Sequence, residues 1–340
     1  MAGPSGRYSR QELFAPVGRE GQARLRAARV LVVGCGGLGS NAANLLARAG
    51  VGTLRIVDRD VVELSNLQRQ SLFCEADARE PLPKAVAAAR AIAAFNSDVT
   101  VEPFVADLDA TNVLRFLDGM DLVVDGFDNF EGRYVLNDAC AKRGVPWIYG
   151  ACVASTAMAQ LVVPGATPCL RCGQRDAPEP GTVQTCDTSG IIGPAATLAA
   201  SLQVALALRW LVERTPPARP FVMAADAWEL EVQRLALPPR DPECPTCAHG
   251  RYDFLEGEGL GSTSLCGNAV QVRPHAPHRP DFEAIAARVR AVGEVHVNPY
   301  LLRLRAPPYE LTLFDDGRAI VKGTVDPAVA RGLLARWIGA

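Results

Sequence analysis

Between residues 29 and 151, short β-branched runs alternate with longer stretches of helical spacing. RVLVV, residues 29–33, predicts a strand, and the glycine-rich GCGGLGS follows at once. From Asn41 to Gly50, the residues Leu45, Leu46 and Ala49 recur at helical spacing, and Gly50 stands where a helix stops. A second strand, TLRIVD, ends at Asp58, and residues 82–95 predict a helix. VTVEPFV and DLVVDGF predict strands on either side of the helical TNVLRFLDG, and VLNDACAKRG and VPWIYGA add a helix and a strand. Strand alternating with helix in this way predicts a doubly wound, Rossmann-like α/β fold with a mostly parallel sheet.

The pattern changes after Ala151. ASTAMAQLVVPG predicts sheet, residues 164–190 form a Cys-, Pro- and Gly-rich loop, and 194–213 predict a long buried helix. FVMAADAWELEVQRLAL then predicts antiparallel strands that extend the sheet. Residues 1–250 are thus expected to form one domain, 251–264 a glycine-rich linker, and 265–340 a small α+β appendage of strand, helix, three strands and helix. No repeat or heptad is present.

Composition narrows the class. Hydrophobic residues make up 49% of the 340 and charged residues 21%, which excludes a disordered chain or a fibre. The formal net charge of -2 supplies no bulk attraction to nucleic acid or to a membrane surface. The start, MAGPSGRYSRQEL, lacks the apolar run of a signal peptide. The most apolar stretch, Ile191 to Val212, contains Gly193, Pro194, Ser201, Gln203 and Arg209, which suits a buried helix better than a lone spanning one. Ten cysteines in such a chain read as cytosolic thiols or metal ligands, and a cytoplasmic protein is expected.

Three groups of residues carry candidate chemistry. Gly34, Gly36, Gly37 and Gly39 form a turn between strand and helix whose backbone N–H groups can approach a phosphate. Asp58, at the end of the next strand, can accept from ribose hydroxyls. An NAD-dependent oxidoreductase would show the same fingerprint. The polar VELSNLQRQ, with Arg69, Lys84 and the pair Asp128-Asn129 at the carboxyl edge of the sheet, fits a triphosphate with Mg²⁺ better than a nicotinamide. The competing, less favoured reading of these charges is a solvated surface set. The pairs Cys169/Cys172 and Cys244/Cys247 are two CxxC knuckles, the spacing of a closed four-thiolate structural zinc site.

GCGGLGSNAANLLARAGVG, IVDRDVVELSNLQRQ, PLPKAVAAA and VVDGFDNFEGRYVLND, in that order, resemble the ThiF/MoeB/HesA family, bacterial relatives of ubiquitin-activating enzymes, over roughly residues 7–248. The resemblance implies ATP as the nucleotide and the C-terminal Gly-Gly carboxylate of a small ubiquitin-like sulfur carrier as co-substrate. It makes Asp58 the ribose partner, and Asn66, Arg69 and Lys84 phosphate contacts. Asp128 would position Mg²⁺ or the reacting carboxylate. Arg10 would reach into a neighbouring subunit's site, implying a homodimer. Cys186 matches a cysteine that takes part in sulfur transfer in the thiamin branch and is taken as catalytic on that ground, with a non-catalytic loop cysteine as the alternative. The family pattern also places CxxC pairs at both observed positions.

Cys35 inside the glycine loop departs from that pattern, as does Phe127 where a threonine commonly precedes Asp-Asn. No rhodanese-like region is present, so a persulfide donor would be a separate protein. The competing readings are a tRNA-modifying dehydratase relative, the oxidoreductase, and a non-catalytic activator partner. The first would favour a basic surface without zinc pairs, the second leaves SNLQRQ unexplained, and the third is at odds with retention of Arg10, Arg69, Lys84 and Asp128. The carrier, whether for thiamin, molybdopterin or tRNA thiolation, is not named by the sequence.

Overall fold

Two N-terminal helices, α1 (Ser9–Glu12) and α2 (Gly18–Ala27), lead into β1 (Arg29–Val33), whose side chains feed two separate cores. Val30 and Val32 join one, and Leu31 and Val33 join the other. Each such burial contributes about 1.5–3 kcal/mol relative to exposure, so the strand is stable only with both faces covered. The computed structural model describes residues 6–178, 186–257, 264–265, 268–273 and 279–338. Contacts divide the chain into two units, residues 1–259 and 260–340.

In the first unit α3 (Gly37–Arg48), β2 (Thr53–Asp58), α4 (Glu75–Arg79), α5 (Lys84–Phe95), β3 (Thr100–Val105), α6 (Val113–Leu117), β4 (Leu122–Asp125), α7 (Phe130–Arg143) and β5 (Trp147–Val153) follow in turn. β6 (Thr156–Val162), α8 (Leu170–Gly173), α9 (Cys186–Ser189), α10 (Gly193–Glu213), β7 (Phe221–Asp226) and β8 (Glu231–Ala236) complete it. The sheet order is β3-β2-β1-β4-β5-β6-β7-β8, parallel from β3 to β5 and antiparallel from β5 to β8. Strand order reverses between β1 and β4, where an open α/β sheet forms its ligand crevice at the carboxyl ends. The doubly wound sheet with antiparallel extension is therefore the one expected.

Two boundaries differ from the sequence reading. α3 starts at Gly37 rather than at Asn41, because the glycines of the turn supply its first residues. α7 starts at Phe130 rather than at Val135, because the Asn129 side chain accepts from the Gly132 N–H at 2.8 Å and caps a turn that lacks apolar periodicity. α10 packs against α3, β5 and β6, so its apolar sequence is explained by a place in the core. Among the described residues it is the one helix long and apolar enough to cross a membrane.

The second unit is an antiparallel sheet, ordered β11-β12-β13-β14-β10-β9, with two helices. Its elements are β9 (Ser264–Leu265), β10 (Ala269–Val272), α11 (Phe282–Val289), β11 (Glu294–Asn298), β12 (Leu301–Ala306), β13 (Tyr309–Phe314), β14 (Ala319–Lys322) and α12 (Pro327–Trp337). Asp281 and Asp326 cap the helices, and Val270, Ile285, Leu302, Leu311, Val321 and Leu334 share its core. The strands β9 and β11 are additions to the sequence reading. EVHVN is exposed at Glu294, half-buried from Val295 to Asn298, and too short to announce itself by alternation alone.

Candidate functional site

The four glycines of the β1–α3 turn do different work. Gly34 has φ +78°, and a Cβ there would lie 2.6 Å from the Gly126 carbonyl oxygen in the turn after β4. At Gly39 a Cβ would overlap the Gly34 carbonyl, so that glycine lets the helix close onto the turn. Gly36 and Gly37 have no such internal reason. The nearest atom to a Cβ at Gly36 would be Gln70 Nε2 at 3.9 Å, and at Gly37 it would be Arg69 Cδ at 3.6 Å. Their missing side chains leave room above the helix N-terminus, where a backbone can approach a phosphate. The Oε1 of Gln70, a residue only 2% exposed, has no protein partner beside this space.

Arg69 is held over this turn from below. Asn41, on α3, donates to the Gly37 carbonyl at 2.6 Å and to the Arg69 carbonyl at 2.8 Å. The Asn66 side chain accepts from the Glu63 N–H at 3.1 Å, which fixes the 3₁₀ turn Leu64–Asn66 before it. The Arg69 guanidinium donates to the Ser65 carbonyl at 3.0 Å, and no ion pair involving it occurs among the described residues.

The carboxylates at the end of β2 are more tightly organised than the sequence suggested. Asp58 is buried and accepts from the Cys35 N–H at 2.6 Å and the Asp60 N–H at 2.7 Å. Burial raises its pKa, and the Lys84 ammonium pulls the other way. Lys84, the first residue of α5, is 7% exposed, and its Nζ lies 3.0 Å from Asp60 Oδ2. Burial would depress the ammonium, but Asp60 and then Asp58 outweigh it and hold Lys84 above the ordinary lysine range. A solvated surface set is excluded for Lys84. Its partner Asp60 was missed, although the repeated aspartate of DRD was the available signal.

Across the crevice, Asp128 is exposed and Asn129 donates to it at 3.0 Å. The loop that carries them is anchored by a buried pair. Asp125 accepts from the Phe127 N–H at 2.9 Å and from Arg133 Nε at 3.0 Å, while Arg133 Nη2 donates to the Phe127 and Gly150 carbonyls, each at 2.8 Å. Asp125 ends a strand and Arg133 lies in a helical turn ahead of the predicted helix, and only the fold brings them together in the loop that carries Asp128.

Arg10 is exposed on α1 and no described hydrogen bond or ion pair joins it to this group. The backbone of Cys186 opens α9, while its side chain lies outside the described residues. Downstream of it, a Cβ at Gly193 would lie 2.6 Å from the Gln68 carbonyl oxygen, so the segment after α9 runs against the SNLQRQ loop. The first turn of α10 adds Ala196 beside Gly37.

The four knuckle cysteines converge. All four sulfurs of Cys169, Cys172, Cys244 and Cys247 lie within 4.8 Å of one another, with pairs at 3.3, 3.5 and 3.9 Å. A tetrahedron of thiolates at ~2.3 Å from zinc has edges of about 3.8 Å, so this donor set fits that ion. Both loops are buckled to one turn of α7. Asn137 accepts from the Leu170 N–H at 3.0 Å, and Asp138 accepts from the Thr246 hydroxyl at 2.7 Å and the Phe254 N–H at 3.1 Å. Arg171 completes the shell through Asp253 at 3.1 Å.

A model of the ThiF family matches residues 8–246. The chain is 44% identical over 339 residues to the sulfur carrier protein ThiS adenylyltransferase of Bacillus subtilis, covering 98% of this chain and 100% of that one. It is 42% identical over 251 residues to the SAMP-activating enzyme E1 of Haloferax volcanii, covering 74% and 91%. Among solved structures, E. coli MccB with ATP superposes with a TM-score of 0.63 at 25% identity, covering 72% of this chain and 74% of that chain. With the glycine turn, the SNLQRQ loop and the aspartate pair all on one crevice edge, the chain belongs to the ThiF family.

Proposed function

We propose that this chain is an adenylyltransferase that activates the C-terminal Gly-Gly carboxylate of a ubiquitin-like sulfur carrier protein with ATP. The observation that carries the reading is the space above Gly36 and Gly37, overhung by Arg69 and flanked by Asp58, Lys84 and Asp128. Identity along the whole length of a sulfur-carrier adenylyltransferase supports it.

In this reading Asp58 holds the ribose, and the glycine-turn N–H groups, Asn66 and Arg69 hold the phosphates. Lys84 exchanges Asp60 for the triphosphate. The carrier carboxylate attacks the α-phosphorus, the bond to the bridging oxygen breaks, and pyrophosphate leaves with an acyl adenylate formed. Mg²⁺, when bound near Asp128, neutralises charge on the leaving phosphates. No protein nucleophile is required, so rate comes from positioning and charge neutralisation, and Cys186 belongs to a later sulfur-transfer step. The sulfur then comes from a separate persulfide donor. Residues 1–250 carry this chemistry, and none is assigned to 265–340.

The test is radiolabelled pyrophosphate exchange into ATP with small Gly-Gly-ended proteins encoded by the same genome. Exchange should require one such carrier and vanish when its last two glycines are removed. Exchange that proceeds equally with the truncated carrier would overturn the reading.

A homodimer is part of the same proposal. Arg10 lies near two strongly exposed apolar side chains in sequence, Leu13 at 58% and Phe14 at 62%, and Leu64 of the SNLQRQ region is 66% exposed. Cover by a second copy would remove this surface from water and bring Arg10 to the neighbouring site. Light scattering should give a dimer. Mixing Arg10→Ala with Arg69→Met, each inactive alone, should restore activity in the hybrid that carries one intact site. A monomer of full activity would refute the assignment of Arg10.

A further inference from the structure

Arg59 follows Asp58 directly, inside the IVDRDVVELSNLQRQ motif, and no role in the crevice has been given to it above. Its side chain is 21% exposed and caps the carboxyl ends of two strands. Nη1 lies 3.3 Å from Asp107 Oδ1, beyond β3, and Nε lies 3.9 Å from Asp60 Oδ1, beyond β2. Asp60 also holds Lys84. The field of Asp128 reaches both Arg59 and Lys84 from the opposite wall, and Asp58 acts on both as well. Four carboxylates, those of Asp58, Asp60, Asp107 and Asp128, therefore share this edge with Arg59, Lys84 and, over the glycine turn, Arg69. Counted as ionised, the edge has an excess of negative charge, the wrong sign for receiving a polyanion.

We propose that Arg59 is a positioning residue of the nucleotide site: anchored by Asp107, its cation offsets the carboxylates around Asp58, lets Lys84 leave Asp60 for the triphosphate, and so sets ATP affinity. The proposal rests on the reading of the crevice as an ATP site. Arg59 acts here through the local field and through Asp60. Its loss would deepen the negative potential and strengthen the hold of Asp60 on Lys84, and both effects oppose ATP. Screening by salt should weaken the first of them.

Titration of the full chain with MgATP in a calorimeter tests this. Arg59→Met should weaken ATP binding on the order of tenfold at about 50 mM salt, with the gap narrowing as salt rises. Arg59→Lys keeps the charge and should stay within about threefold of the parent. Turnover at saturating ATP should change by less than about twofold, because the effect is on binding. Adding Asp107→Asn to Arg59→Met should recover most of the affinity, since it removes the charge that Arg59 offsets. A purely structural role would lower the melting temperature without this charge rescue.

Parental affinity in Arg59→Met, or a double variant as weak as the single one, overturns the proposal. If Arg59→Met does not fold, Asp107→Asn alone serves: it should tighten ATP, and unchanged or weaker affinity counts against the idea. A parent chain that binds no MgATP would instead sink the nucleotide reading itself, and this inference with it.

Discussion

Arg69→Met should lower carrier-dependent pyrophosphate exchange by a factor on the order of 10²–10³, the loss seen when one preorganised charge donor is removed from a transition state. Its melting temperature should stay within about 2 °C of the parent, since the one described contact of the guanidinium is to a neighbouring carbonyl. That combination makes Arg69 the clean probe of the site. Lys84→Met should cost as much in rate but will also lower stability. It leaves Asp60 facing Asp58 without the ammonium that now lies 3.0 Å from Asp60. One of the two carboxyls would then take up a proton to avoid the repulsion. Exchange kinetics and melting curves on the two variants separate the cases. Near-parental exchange in Arg69→Met would remove the phosphate contact from the account.

The second large effect is expected at the cysteine cluster. Purified protein should contain one zinc per chain by mass spectrometry, and Cys244→Ser should release it. Loss of the ion removes the cross-link between segments 169–172 and 244–247. A cost of about 4 kcal/mol or more is typical for losing a structural metal. For a domain of this size that lowers the melting temperature by roughly 10 °C. Because Asn137 and Asp138 tie both knuckles to α7, and Asn129 caps the same helix, ATP affinity should weaken as well. A metal-free chain whose melting temperature is unmoved by Cys244→Ser would show that the four sulfurs hold no structural ion.

Much of the site could be read in advance because its signals are local. A glycine turn has steric causes within a few residues, and Asp58 follows at the end of the next strand. The knuckles carry their spacing in four-residue words. What could not be read was the pairing of charges. Lys84 could be placed at the sheet edge as a cation for phosphate, but only the β2–α5 connection, where the Lys84 N–H also donates to the Asp60 carbonyl at 2.9 Å, shows that it is buried and held. Asp125 and Arg133 were invisible for the same reason. Asp125 closes a strand and Arg133 lies in the first turn of α7, which has no apolar periodicity, and their meeting depends on β4 ending beside β5.

Sequence alone determined the alternation of strand and helix, the backbone freedom of the turn, and the presence of two dithiol words, since each is a property of residues close along the chain. The tertiary structure decided which carboxylate restrains which cation, and that 71 intervening residues return Cys244 to Cys172. Those are contacts between distant segments. Their free energy comes from desolvation and Coulomb attraction at a few ångströms, which no local pattern of residues encodes.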